Sequence, residues 1–147
     1  MPAATNPFKD TKDADVLKAY NVGITDGITD DTFEPNTLLN REQAATMLTR
    51  VYKKTVISGW TLATDGDYAA QFKTMFTMPA AFADDADISG WAKDSVYFMK
   101  SKGIIDGMDG NTFQPRATTS AQQAAGYAQC LREHAILIAV RMVKNLA

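Results

Sequence analysis

The chain has 147 residues, enough for one domain with a real core, and an ordinary soluble balance of 46% hydrophobic and 22% charged residues. Its net charge of −2 excludes a broad electrostatic footprint for nucleic acid, so an anionic partner has to be held by a few local cations. No apolar run approaches the roughly 20 residues of a membrane span, which argues against membrane insertion, and one cysteine excludes an intrachain disulfide or a cysteine-rich zinc site.

The chain opens Met1-Pro2-Ala3-Ala4-Thr5-Asn6-Pro7, with no basic start and no apolar stretch, and reads as a short leader rather than a signal peptide. A short helix follows, with Val16, Leu17 and Tyr20 on its apolar face and Gly23 closing it. Next comes a loop dense in Asp, Gly and Thr, from Asp26-Gly27 to Pro35, with Phe33 as the plug that pins it to the core. Asn40 and Gln43 form a capping box, and Ala44, Met47, Leu48, Val51 and Tyr52 continue at helical spacing. Residues 55–81 contain Trp60, Tyr68, Phe72, Met75 and Phe76; the Thr-Val-Ile and Gly-Trp-Thr-Leu pieces read as an irregular, extended or hairpin-like strap.

The opening phrase then returns. Gly23-Ile24-Thr25-Asp26-Gly27 and Thr32-Phe33-Glu34-Pro35 reappear as Gly103-Ile104-Ile105-Asp106-Gly107 and Thr112-Phe113-Gln114-Pro115, with seven of 13 positions identical at an offset of 80. Duplication of one supersecondary unit means that function is sought where repeats meet. The second copy has a longer opening helix, with Trp91, Val96, Phe98 and Met99, ended by Gly103. Its last helix, Arg132 to Leu146, is apolar almost all round and reads as central and buried. From Phe33 to Arg41 is 8 residues but from Phe113 to Arg132 is 19, so 11 extra residues lie before Arg132. Ser120 and Gln123 can cap a short extra helix there; otherwise one long helix runs from about Ala121 to Leu146. An ungapped alignment of Gln123-Ala124-Ala125 with Gln43-Ala44-Ala45 is set aside because it leaves Arg41 and Arg50 without the counterparts Arg132 and Arg141.

The ordered phrases (Phe-x-Asp, an aromatic-containing helix, Gly-Ile-x-x-Gly, Thr-Phe-x-Pro, then Arg-Glu and an apolar helix) resemble the S-layer homology repeat of bacterial cell-surface proteins. The resemblance covers Phe8 to about Lys54 and Phe82 to about Asn145. It implies a mainly α fold, with tandem helix-loop-helix repeats packed as a bundle around a pseudo-threefold axis. Residues 1–147 then form one module, with repeat one at about 8–54, the strap at about 55–81 and repeat two at about 82–147. It also implies an extracellular place at the cell wall and noncovalent attachment to acidic, often pyruvylated, secondary cell-wall polysaccharide, with no cofactor and no catalysis. Because the family usually carries three repeats, an additional repeat or another copy of the chain is expected as a partner. Repeat one departs from the pattern in its shorter opening helix and in having no equivalent of Trp91; repeat two departs in Leu131 and the extra segment. The alternative function is protein–protein assembly within a surface layer.

Arg41 and Arg132 are the candidate ligand residues, since a planar guanidinium at a helix start suits a carboxylated sugar. The competing reading pairs each with a nearby acid. Trp91 either stacks on a sugar ring or packs in the core or at its rim. Glu42 and Glu133 read as first-turn carboxylates that stabilise helix starts, not as a catalytic pair. Asp84, Asp85 and Asp87, and Asp106, Asp109 and Asn111, lack the order of a calcium loop and read as turn and cap residues. Gly27 and Gly107 are turn glycines rather than a phosphate cradle; Cys130 and His134, four apart, lack an orienting third group.

Overall fold

The computed structural model describes residues 5–130 and, beyond them, 138, 140–142 and 144–146. The described residues are mainly helical: α1 (Ala14–Asn21), α2 (Arg41–Val56), α3 (Ala69–Lys73), α4 (Gly90–Ser101) and α5 (Ser120–Ala124), with 3-10 turns at Leu62–Tyr68, Asp85–Asp87 and Asp109–Asn111. Among them β pairing is limited to isolated bridges such as Thr29 with Thr32 and Met108 with Thr112. The chain divides into two compact units, one of residues 1–37 and 50–69, the other of residues 38–49 and 70–147.

In the first unit Asp13 starts α1 by accepting from the N–H groups of Asp15 and Val16, and Gly23, at φ 79°, follows its end. Phe8 is the centre: it packs edge-on to Tyr20 at 5.2 Å and against Phe33 at 5.6 Å. The Asp10 carboxylate takes the N–H of Phe33 (2.9 Å) and of Glu34 (2.7 Å), and these bonds hold its carboxyl below the ordinary range. Glu34 is thereby held at φ 57°, left-handed without being glycine. Gly27 is required where it stands: at φ 84°, an added Cβ would lie 2.5 Å from the Phe8 ring and 2.7 Å from the Thr32 carbonyl.

The second unit repeats this arrangement. Phe82 stacks on Tyr97 at 5.8 Å and meets Phe113 at 5.5 Å. Asp84 takes the N–H of Phe113 (2.7 Å) and Gln114 (2.8 Å), and Gln114 sits at φ 56°. α4 has 12 residues to the 8 of α1, as the shorter opening phrase of repeat one implies, and it buries Val96, Phe98 and Met99 completely. Phe72 of α3, 1% exposed, adds a ring contact to Phe98 at 5.1 Å. The Tyr97 hydroxyl donates to Asp85 at 2.6 Å and accepts from the Phe82 N–H; burial and Asp85 push its pKa up to about 12.

Three expectations need correction. The strap is not extended or hairpin-like: Thr61 and Thr64 form a reciprocal capping box that starts the 3-10 turn Leu62–Tyr68, and α3 follows it directly. Asp65 in that turn accepts from Lys53 and from the indole of the buried Trp60, both at 2.7 Å, which gives the turn its anchor. Next, α5 is capped by Thr119 with Gln122, not by Ser120 with Gln123, and it stops at Ala124; Gly126 (φ 68°) and Ala128 (φ 64°) turn left-handed, so no helix runs on from Ala121. Finally, the last helix is not buried all round: Ile138 is 7% exposed but Val140 is 59% exposed, and the stretch 131–137 lies outside the described residues.

The buried stripe of α2 also differs from the apolar stripe in the sequence. Glu42, Ala45, Thr46, Thr49 and Lys53 are buried, whereas Val51 is 39% exposed. Thr46 and Thr49 donate their hydroxyls to the carbonyls of Glu42 and Ala45, four residues back and each at 2.8 Å, which removes most of the cost of burying them.

Candidate functional site

The start of α2 is capped as its sequence predicts: the Asn40 N–H meets the Gln43 side chain at 3.1 Å and the Gln43 N–H meets Asn40 at 2.9 Å. The cap aims Arg41 at the loop of repeat two. Its Nε donates to the Phe113 carbonyl at 2.7 Å, an Nη to the Asp106 carbonyl at 3.3 Å, and its guanidinium lies 4.9 Å from the Phe113 ring centre. Among the described residues no carboxylate is close enough to form an ion pair with Arg41. Asp84 acts on it only at a distance, its two oxygens being occupied by the Phe113 and Gln114 N–H groups. Burial lowers the Arg41 pKa from its ordinary value, yet a guanidinium remains charged at any physiological pH.

The neighbouring Glu42 turns away from its own helix start. It is 1% exposed, and its carboxylate accepts from the Ser89 N–H (2.9 Å), the Ser89 hydroxyl (3.0 Å) and Arg116 (3.3 Å). Arg116 also donates to Ser89 Oγ at 2.9 Å and to the Asp87 carbonyl. A buried carboxylate of this kind requires both a counter-charge and hydrogen bonds, and here it has both. The expected first-turn role is therefore secondary to a tie between α2, the start of α4 and the loop of repeat two. Trp91, two residues past Ser89, is 60% exposed, which removes the core-filling reading. Cys130 lies close enough to feel Arg41, but burial raises its thiol pKa, the wrong direction for a nucleophile.

The structure thus places a half-buried Arg41 and an exposed Trp91 in one unit, linked through Glu42 and Ser89. Arg132, Glu133 and His134 lie outside the described residues. The Asp residues have ordinary duties: Asp84 holds backbone N–H groups, Asp85 pairs with Lys93 at 2.8 Å, and Asp106 pairs with Arg141 at 2.9 Å. Sequence reasoning missed Arg116 and Ser89. The available signal was Arg116 itself, a cation directly after the loop proline where repeat one has Asn36.

Comparison with known proteins bears on this geometry. The S-layer homology domain model matches residues 7–45 and 81–125, more than half the chain. The chain belongs to the S-layer homology domain family. That family is one of cell-surface proteins. The S-layer homology match closes on Gln43-Ala44-Ala45 and Gln123-Ala124-Ala125, the two phrases that the gapped alignment separates. Yet Arg50 reaches the Ile24 carbonyl (3.3 Å) and Asp26 (3.5 Å) just as Arg141 reaches the Ile104 carbonyl (3.3 Å) and Asp106 (2.9 Å). The Arg50–Arg141 equivalence therefore stands, and the extra residues fall between Ala125 and Arg141. In consequence α5 begins on Ser120 where α2 begins on Arg41, so the capped start in repeat two carries no arginine.

Similar proteins include an endoglucanase of Bacillus sp. (strain KSM-635), 30% identical over 81% of this chain. Others are the exoglucanase XynX of Acetivibrio thermocellus, 27% identical over 84%, and an amylopullulanase of Thermoanaerobacterium thermosulfurigenes, 27% identical over 80%. The chain spans 12%, 10% and 6% of the lengths of these proteins respectively. No solved structure matches it significantly.

Proposed function

We propose that this chain is a non-catalytic anchoring module, displayed outside the cell, that attaches a surface protein to the wall by binding acidic secondary cell-wall polysaccharide. Its two repeats act as a single module. Arg41 is the principal contact, with Trp91 offering an aromatic face to a sugar ring and Arg132 supplying a second cation. The observation that carries this reading is the state of Arg41. It is fixed by neutral carbonyls and by Phe113, and among the described residues no carboxylate neutralises its positive charge at contact distance. A bidentate acceptor such as a sugar carboxylate is the natural complement of such a group. Weak binding at one site gains on a repeating polymer through multivalency.

Cosedimentation of the purified chain with wall sacculi tests it, with the secondary polysaccharide present or chemically stripped. Binding to unstripped walls alone, lost in Arg41→Ala with folding retained, is the expected result. Equal binding to stripped walls removes the polysaccharide from the account. A second reading, assembly with other proteins of a surface layer, draws on exposed apolar groups in the first unit, Ile28 at 51% and Val22 at 44%. Self-association without wall binding would favour it.

A further inference from the structure

The anchoring reading uses Arg41 and Trp91 but leaves unexplained the buried titratable group beside them. Glu42 is acidic, 1% exposed, and bonded to nothing in its own helix through its side chain. Such burial is unfavourable unless the geometry is well satisfied, and replacing an ion pair by apolar groups often costs nothing. Helix starting does not account for it, because Asn40 and Gln43 already cap α2. What the carboxylate does is fix two other segments. It holds both the backbone and the hydroxyl of Ser89, the residue that precedes α4, and through Arg116 it holds the residue that follows Pro115. Ser89 does not cap α4 with its side chain; its hydroxyl goes to Glu42 instead.

We infer that Glu42 is a positioning residue for the anchoring site: with Arg116 it clamps the start of α4 so that Trp91 is presented at a fixed place relative to Arg41. The path between the two contact residues is short. It runs from Arg41 through one peptide bond to Glu42, across the paired hydrogen bonds to Ser89, and through Gly90 to Trp91. Gly90 has nothing within 4 Å of where a Cβ would stand, so no packing at that residue restrains the link. The clamp has a second consequence. Arg116 neutralises Glu42, so the acid adjacent to Arg41 in sequence does not compete with an incoming anion. This inference rests on the anchoring reading for its purpose, although not for its geometry.

The clamp is testable by Glu42→Gln, which keeps the shape and removes the charge. An amide at this place sets an N–H₂ donor against either the Ser89 N–H or Arg116, so at least one bond is lost. The chain is labelled with 5-fluorotryptophan and examined by fluorine NMR; Trp91→Phe assigns the two signals. Trp60, buried in the other unit, serves as an internal control, and amide exchange protection of Val96–Met99 reports that α4 remains folded. The expected result is a shifted and narrowed Trp91 signal, an unchanged Trp60 signal, retained protection, and about a tenfold loss of affinity for unstripped sacculi. Arg116→Gln should give a similar change, and the double variant should be no worse than either single one, because both remove one device.

A folded Glu42→Gln chain with an unaltered Trp91 signal overturns the clamp. A freed Trp91 with full wall affinity overturns its role in binding. If Glu42→Gln unfolds the second unit, Arg116→Gln, which removes the nitrogen that reaches Glu42, Ser89 and the Asp87 carbonyl, carries the same two readouts. If the wild-type chain does not bind walls, the anchoring reading fails, while the Trp91 signal still decides whether Glu42 holds the helix start.

Discussion

The two repeat loops share their aspartate, phenylalanine and pre-proline geometry and have opposite surroundings. In each, an aspartate takes two successive N–H groups, a phenylalanine packs on the Phe of the opening phrase, and the residue before proline is left-handed. Yet Phe113 is fully buried and Pro115 almost so, whereas Phe33 is half-buried and Pro35 exposed. The difference lies in what covers the loop. In the second unit the start of α2 lies over it, with Arg41 on the Phe113 carbonyl and the Glu42 N–H on the Pro115 carbonyl at 3.2 Å. Local conformation is therefore written into the repeated phrase, while burial is conferred by whatever packs on it. A repeat can keep its shape and change its partner.

The largest expected effects test that separation directly. Phe113→Ala should destabilise by about 3–5 kcal/mol, as for a fully buried aromatic ring, and Phe33→Ala by roughly half as much, measured by urea unfolding. Equal losses would mean that exposure does not distinguish the loops. Gly27→Ala should cost more than Gly107→Ala. The first combines φ 84° with a Cβ contact of 2.5 Å, while the second meets nothing nearer than 3.1 Å and needs no left-handed backbone. The left-handed penalty alone is about 1–2 kcal/mol.

A smaller effect has the opposite sign: Ala128→Gly should stabilise by up to about 1 kcal/mol, because Ala128 stands at φ 64° while offering its carbonyl to the Arg41 N–H. A loss of stability there would mean that the Ala128 methyl, 5% exposed as a residue, packs more than its backbone is strained. The smallest effect is in pH. The carboxyls of Asp10 and Asp85 are held below their unfolded values, by the Phe33 and Glu34 N–H groups and by Lys93 and Tyr97 respectively. Stability from each is thus complete above the ordinary carboxylate range and falls as pH drops through the lowered folded value. Asp10→Asn should flatten that acid limb slightly and Asp85→Asn likewise, seen as a reduced dependence of the melting temperature on pH between neutral and acid. An unchanged slope would remove these bonds from the acid response.

Much of this was legible in the sequence because it is local. The loop phrases, the Asn40–Gln43 box and the glycines after α1 and α4 all follow from residues acting within a few positions or from exact repetition. The strap was misread because Thr-Val-Ile and Gly-Trp-Thr-Leu have strand composition, while the Thr61–Thr64 box and the Asp65 bonds to Lys53 and Trp60 decide its form. The buried stripe of α2 was misread because hydrophobicity does not register a threonine that satisfies itself on its own helix. At the proposed site the sequence offers Arg41 and Trp91 as candidates, but the duty of Glu42 depends on Ser89 and Arg116, 47 and 74 residues away in sequence.

The left-handed position before each loop proline has a consequence for how such modules diversify. Glu34 and Gln114 are each held there by an aspartate acting on their backbone N–H, and in repeat one the Glu34 carboxylate also accepts from the Thr37 hydroxyl at 3.0 Å. The left-handed backbone is thus set by the aspartate in both copies, and one copy carries a negative charge at that point where the other is neutral. Variation at that place changes the electrical character of the surface while the aspartate keeps the backbone of the turn.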